Sequence, residues 1–221
     1  MPSFEEVQVR LANVRDRLAE LGSTGVTVIA VTKGFGADAI VSAREAGLGD
    51  IGENYAQELL AKAETLEQLG GDVHPRVHFI GHVQSNKVRQ LLAHVDAWHT
   101  VDRVSLVDAL ARRGITGEVM IQVNTTGEDT KSGCSPAELP ALVDHARQAG
   151  LLLTGLMTMG PTDGDRPRAA TAFRSLRTLA DGAGLASCSM GMSADYGIAV
   201  AEGATHVRLG TVLFGERHRR G

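Results

Sequence analysis

The sequence predicts an α/β protein, a closed (β/α)8 barrel of the TIM type with one extra helix in front. Three observations carry that expectation. Short apolar or β-branched runs alternate with segments of helical spacing along the chain, and such alternation builds a parallel sheet. The runs number eight, the count at which such a sheet closes on itself. The first of them, VTVIAV at 26–31, is continuously apolar, as a strand covered on both faces should be. An open doubly wound sheet is the alternative that alternation alone also allows.

The elements follow in order. Residues 4–21 place Phe4, Val7, Leu11, Val14, Leu18 and Leu21 at helical spacing, with Ser3 as N-cap, Glu6 completing a capping box and Gly22 as the stop. After the strand at 26–31 a helix covers about 36–46 and ends at Gly47. A short strand at 50–53 leads into a helix over 54–69. Strands at 77–83 and 97–101 are followed by helices at 85–93 and 103–112. The strand at 118–124 precedes a helix at 136–149, and the strand at 153–159 precedes one at 167–181. A weak strand at 187–192 and a helix at about 194–202 lead to 206–214, a last strand or a strand running into a helical turn. The polar stretch 161–168 is a loop, so residues 1–221 are expected to form one domain.

Composition narrows the function. Of 221 residues, 43% are hydrophobic and 22% charged, which fits a globular core and excludes the composition of disorder. A net charge of −4 argues against a dedicated binder of nucleic acid or of anionic membranes. No apolar run approaches the roughly 18 residues of a membrane span, and the N-terminus lacks signal architecture. Two cysteines, Cys134 and Cys188, make no disulfide framework, so a cytoplasmic, reduced protein is expected, and a monomer, since no large apolar surface stripe is evident.

In a barrel the chemistry sits at the C-terminal strand ends. The first strand ends in Thr32-Lys33-Gly34, and Lys33 shares a face with Val31 and Ile29. If that face is the lumen, partial desolvation makes the amine a nucleophile toward carbonyls. In a closed barrel the last strand is the neighbour of the first, which brings Arg208 beside Lys33 as a second cation. The ends of strands seven and eight are the usual phosphate site. There Ser189-Met190-Gly191-Met192-Ser193 allows close backbone approach, Ser193 can cap the helix that follows, and Gly210-Thr211 adds an N–H and a hydroxyl. An amine for an aldehyde, a phosphate cradle and a cation between them suit pyridoxal 5′-phosphate (PLP), whose ring nitrogen can accept a hydrogen bond from Arg208. They also leave open a class I aldolase with a phosphorylated sugar on Lys33.

The segments VTKGF, GENYAQEL, HFIGHVQSNKV, TVDR, EDTKSG, GLMTMGP and SMGMSADYGIAVAEGATHVRLGTVLFG resemble the pyridoxal phosphate homeostasis proteins, which are similar to the N-terminal barrel of alanine racemase. The resemblance runs from about residue 4 to Gly215. It implies a PLP aldimine on Lys33, phosphate contacts from Ser193, Gly210 and Thr211, and Arg208 at the pyridine nitrogen. It also implies Asn54 and Met190 lining the pocket. The segment His82-Val83-Gln84 lies where the family varies, and the basic tail ERHRRG carries no motif. An arginine at the ring nitrogen disfavours its protonation and weakens the ring as an electron sink. Alanine racemase adds a tyrosine base from a second domain, whereas the tyrosines here are Tyr55 and Tyr196, with Tyr55 expected to pack. The resemblance therefore implies a carrier that keeps vitamin B6 and amino- and keto-acid pools in balance and hands PLP to apo-enzymes, without established turnover. A racemase-like PLP enzyme is the alternative.

Other residues carry less. His74, His78 and His82 have a spacing that suggests metal ligands on a helix, but Pro75 and a strand break that geometry. Cys188 is expected to be a small core residue, and Cys134, near Lys131, a weakly reactive thiol.

Overall fold

The computed structural model describes residues 3–23, 25–69 and 74–216; the basic tail from residue 217 onward lies outside them. Among the described residues, eight parallel strands close into a barrel in sequence order. They are β1 (Thr27–Val31), β2 (Asp50–Glu53), β3 (Arg76–Phe79), β4 (Ala97–Val101), β5 (Glu118–Gln122), β6 (Leu152–Met157), β7 (Ser187–Met192) and β8 (His206–Leu209). The register Thr27↔His206 through Ala30↔Leu209 joins β1 to β8 and removes the open-sheet alternative. No described helix is long and apolar enough to cross a membrane.

The leading helix α1 (Phe4–Glu20) has the expected capping box: the Glu6 amide donates to Ser3 Oγ at 3.3 Å and the Ser3 amide to Glu6 Oε2 at 2.8 Å. Its buried stripe is Val7, Leu11, Val14 and Leu18, the four inner positions of the expected six. It lies over α2 (Asp38–Glu45), α9 (Tyr196–Ala201) and α10 (Thr211–Phe214), and so bridges the two ends of the chain where the barrel closes. Arg10 Nη1 fastens it by donating to the Leu213 carbonyl at 3.1 Å.

Several boundaries differ from the sequence expectation, each for a local reason. The helix over 54–69 is two short helices, α3 (Ala56–Ala61) and α4 (Ala63–Gln68), broken at Lys62. The strand over 77–83 ends at Phe79, and the helix over 85–93 shrinks to α5 (Val88–Leu91). Gly81 explains the first of these: a Cβ there would collide with the Asn54 backbone, so the chain crosses the end of β2 instead of running on beside it. The strand over 118–124 stops at Gln122, where the chain turns to pair with Cys134: the Cys134 amide donates to Gln122 O and the Asn124 amide to Cys134 O. The last segment is β8, a turn at Gly210 and then α10. The remaining helices, α6 (Val104–Arg112), α7 (Leu139–Gln148) and α8 (Arg166–Gly182), fall at the expected places.

Apolar strand residues alternate sides, and those facing the helices pack with them into one continuous core. It includes Ala30, Ile51, Phe79, Trp98, Ile121, Leu156 and Leu209. Each fully buried side chain of leucine or phenylalanine size contributes about 1.5–3 kcal/mol relative to exposure. The opposite strand face lines the lumen and mixes apolar residues such as Ile29, Met120 and Met157 with polar ones. His99 on β4 hydrogen-bonds Ser189 on β7, strands that are not neighbours, so the bond must cross the interior. His78, His99, Gln122, Ser189 and Arg208 are all buried, in a space that such barrels ordinarily fill with branched aliphatic residues.

Candidate functional site

Lys33 stands two residues past β1, half-buried in the turn Thr32-Lys33-Gly34. That turn is held from below by a buried ion pair. Lys62 Nζ donates to Glu53 Oε1 at 2.6 Å and to the Thr32 carbonyl at 2.9 Å, while the Thr32 hydroxyl donates to the same Glu53 oxygen at 2.5 Å. The Gly34 amide, in a left-handed conformation at φ 74°, donates to Glu58 Oε2 at 2.7 Å. Glu53 is fully buried and its Oε2 has no hydrogen-bond partner. Desolvation pushes its carboxyl above the usual range, opposed by the nearby Lys62 charge. Neither Glu53 nor Lys62 was expected at the site. The signal existed: Lys62 falls on the buried stripe Leu59–Lys62–Leu66, where helical spacing asks for an apolar residue.

Arg208 is also buried, within the lumen. Its Nη1 donates to Ser189 Oγ at 2.9 Å, and its Nη2 to the Thr158 carbonyl at 2.8 Å and Met159 Sδ at 3.2 Å. These bonds use three of the five guanidinium donors and leave two for a ligand. Burial lowers its pKa to about 10, so it stays cationic at neutral pH.

Ser193, Gly210 and Thr211 come together as expected, but Ser193 acts differently. It does not cap α9, which begins after Asp195 with no side-chain cap. Asp195 instead takes the Met192 amide at 2.5 Å, and Ser193 Oγ accepts the Gly210 and Val212 amides at 3.3 and 3.2 Å. The hydroxyl therefore caps the start of α10 from the end of the adjacent strand β7, with its own proton available as a donor. Gly210 is half-buried against Val31, and Thr211 is exposed.

The other candidates divide. Asn54 is half-buried at the end of β2, and its Oδ1 is buried with no hydrogen-bond partner. It lines a cavity of about 270 Å³ with Tyr55, His82, Gln84 and Lys87. Tyr55 is 55% exposed, so the expected packing role is corrected: it sits on the rim. Met190, expected to line the pocket, is fully buried in the apolar core that the sheet shares with its helices. Met159, which the motif reading passed over, is the methionine that meets Arg208. Cys134 is not a reactive thiol: burial pushes its pKa up to about 12, and that of Cys188 up to about 11. His74 and His82 are exposed, while His78 points into the lumen, so the three do not converge.

A clamp closes the opposite side of the mouth. Glu128 accepts from the Thr162 hydroxyl at 2.6 Å, from the Thr162 amide at 3.2 Å and from Lys131 Nζ at 3.1 Å, and Lys131 also reaches the Gly160 carbonyl. These bonds, the Thr162 hydroxyl foremost, lower the Glu128 pKa to about 2. A depressed carboxylate contributes stability that is present above its unfolded value, about 4.3, and is lost as pH falls through the folded one. Slow exchange of the Thr162 amide should therefore persist at pH 4 and disappear only near pH 2. Glu128→Gln should lose it at every pH, which amide-exchange NMR reads directly.

With the site described, its relatives can be placed. The family model for the alanine racemase N-terminal domain matches residues 7–218. The pyridoxal phosphate homeostasis protein of Pseudomonas aeruginosa is 40% identical over 222 residues, covering 96% of this chain and 95% of its own. This chain belongs to the pyridoxal phosphate homeostasis protein family. A solved protein of Bifidobacterium adolescentis matches with a TM-score of 0.88 at 34% identity, over 96% of this chain and 95% of that one. PipY of Synechococcus elongatus, solved with PLP bound, matches with a TM-score of 0.78 at 34% identity, over 95% of this chain and all of that one.

Proposed function

We propose that this protein binds PLP at the C-terminal mouth of the barrel and acts as a carrier for it. Lys33 holds the aldehyde, Ser193, Gly210 and Thr211 the phosphate, Arg208 the ring nitrogen, and Asn54 the pocket wall. The residues present suit the group: Asn54 offers a buried acceptor without a partner, Ser193 a hydroxyl proton, and Arg208 two further N–H donors. When bound, PLP supplies a carbonyl that condenses with a primary amine, forming a C=N bond and releasing water.

The observation that carries the carrier reading is Arg208, buried and cationic within the lumen and oriented by Ser189 and Thr158. A fixed positive charge beside the ring nitrogen keeps that nitrogen unprotonated, so the ring withdraws electrons poorly and turnover of an amino acid is disfavoured. The relatives carry a homeostasis name, and such a site suits storage and release to apo-enzymes better than rapid chemistry.

The test is a visible spectrum of the purified protein with added PLP. A yellow band that borohydride bleaches, with the reduced adduct on the Lys33 peptide, supports the reading. So does the absence of solvent deuterium at the α-carbon of added amino acids. No band with excess PLP overturns the binding reading, and steady α-proton exchange overturns the carrier reading in favour of a racemase-like enzyme.

A further inference from the structure

The lumen holds a continuous hydrogen-bonded chain that the ligand mouth alone does not explain. From Arg208 Nη1 it passes to Ser189 Oγ at 2.9 Å, then to His99 Nδ1 at 3.0 Å. His99 Nε2 meets His78 Nδ1 at 2.8 Å, and His78 Nε2 meets Asp50 Oδ1 at 2.8 Å. Ser189, His99, His78 and Arg208 are at most 3% exposed. Asp50, at the N-terminal end of β2, is 27% exposed and opens on a cavity of about 370 Å³ that also touches Arg15, Thr27 and Gly49. The chain thus spans the barrel from one face to the other.

Its proton order follows from chemistry. A guanidinium only donates and a carboxylate only accepts. With Asp50 ionised, His78 carries its proton on Nε2. If that ring is neutral, its Nδ1 accepts from His99 Nε2–H. His99 Nδ1 then accepts from the Ser189 hydroxyl, whose oxygen accepts from Arg208. Every link donates in one direction, and no lone pairs face each other. Burial disfavours charge on the neighbouring rings: His99 is held well below the ordinary histidine value by desolvation first, and His206 is lowered to about 4. The other titratable groups around the pair are the ion-paired Arg76 and Glu118, His206 with its ring centroid 6.2 and 6.1 Å from those of His78 and His99, and Arg208 itself. Protonating Asp50 removes the terminal acceptor and allows the whole chain to reverse. Ser189 must then receive both His99 and Arg208.

We propose that Asp50, His78, His99 and Ser189 are positioning residues for Arg208, a proton-ordered relay that couples the charge of Asp50 on the far face to the guanidinium at the ligand mouth. The proposal rests on the PLP reading for what Arg208 touches, but the order of the relay is a property of the protein alone.

The first test therefore uses no ligand. Nitrogen-15 NMR of the imidazoles should show His78 and His99 as neutral Nε2–H tautomers from pH 6 to 8. An Nδ1–H tautomer or an imidazolium at either ring overturns the relay. The second test titrates PLP into Ser189→Ala, Ser189→Thr and Asp50→Ala, each first checked for native circular dichroism. Ser189→Ala should weaken PLP binding about tenfold, the scale of one lost hydrogen bond to a charged group. Ser189→Thr should restore it. Asp50→Ala should shift the pH midpoint of the visible band in the same direction as Ser189→Ala, though it lies at the far end of the barrel. An unchanged midpoint in Asp50→Ala overturns the coupling. If the parent protein gives no band, the PLP reading fails while the NMR result still decides the relay; if a variant does not fold, the NMR of the parent decides it too.

Discussion

Lys33→Ala protein mixed with PLP should show no yellow band and nothing for borohydride to reduce, and should retain the cofactor at least about a hundredfold more weakly than the parent. The reasoning is chemical. A C=N bond to the cofactor needs a primary amine, and Lys33 is the lysine two residues past β1, at the end of the barrel where Ser193 meets Gly210. The substitution leaves in place the Thr32 and Gly34 contacts with Lys62, Glu53 and Glu58 that shape the turn. Lys33→Arg is the matched control. It keeps a cation but cannot form the bond under these conditions, so it should also lack the band while binding PLP more tightly than Lys33→Ala. A persistent, reducible band in Lys33→Ala would move the covalent role to another lysine.

Lys62→Met should be the most destabilising single change near the site, costing about 3–5 kcal/mol, because it leaves the Glu53 carboxylate buried and uncompensated. The side chains of Glu53 and Lys62 are 0% and 5% exposed, so water cannot take over from the lost partner. The double variant Lys62→Met with Glu53→Gln should recover most of the loss, since the charge goes with its partner. Denaturant midpoints of the parent, the two single variants and the double variant measure this directly. The pH dependence follows from the sign. The folded Glu53 value is raised, so the fold favours the protonated acid. In Lys62→Met the penalty should be smallest below the ordinary glutamate value and grow as pH rises through the folded one. A variant whose stability is flat across that window would mean that the carboxylate has found another partner. The pair matters for function because Lys62 and Glu53 together hold the Thr32 backbone and hydroxyl, and Thr32 precedes Lys33 in the chain.

Periodicity located the barrel because short strand runs alternate with striped helices; both patterns are local. The places of Lys33 and Arg208 were legible because closure of β1 on β8 follows from the count of strands, and those of Ser193 and Gly210 because they follow adjacent strands. The contacts that tune the mouth were not legible. Lys62 looks like an ordinary helix lysine until its stripe position is noticed, and Glu53 is one residue of a short motif. The hydrogen bond between His99 and Ser189 joins strands that are not neighbours, and no spacing rule relates them. Ser193 offered the right chemistry for a cap, but the start of α10, not α9, is within its reach.

The seam between β1 and β8 also sets an order of events during synthesis. At about 5–20 residues per second, His206 leaves the ribosome roughly 9–36 s after its register partner Thr27. Through that interval the nascent chain already carries the lysine, while β8 with Arg208 and the turn at Gly210 have yet to be made. Barrel closure has high contact order, so it comes late even in refolding from denaturant. The lysine exists well before the strand that closes the mouth around it.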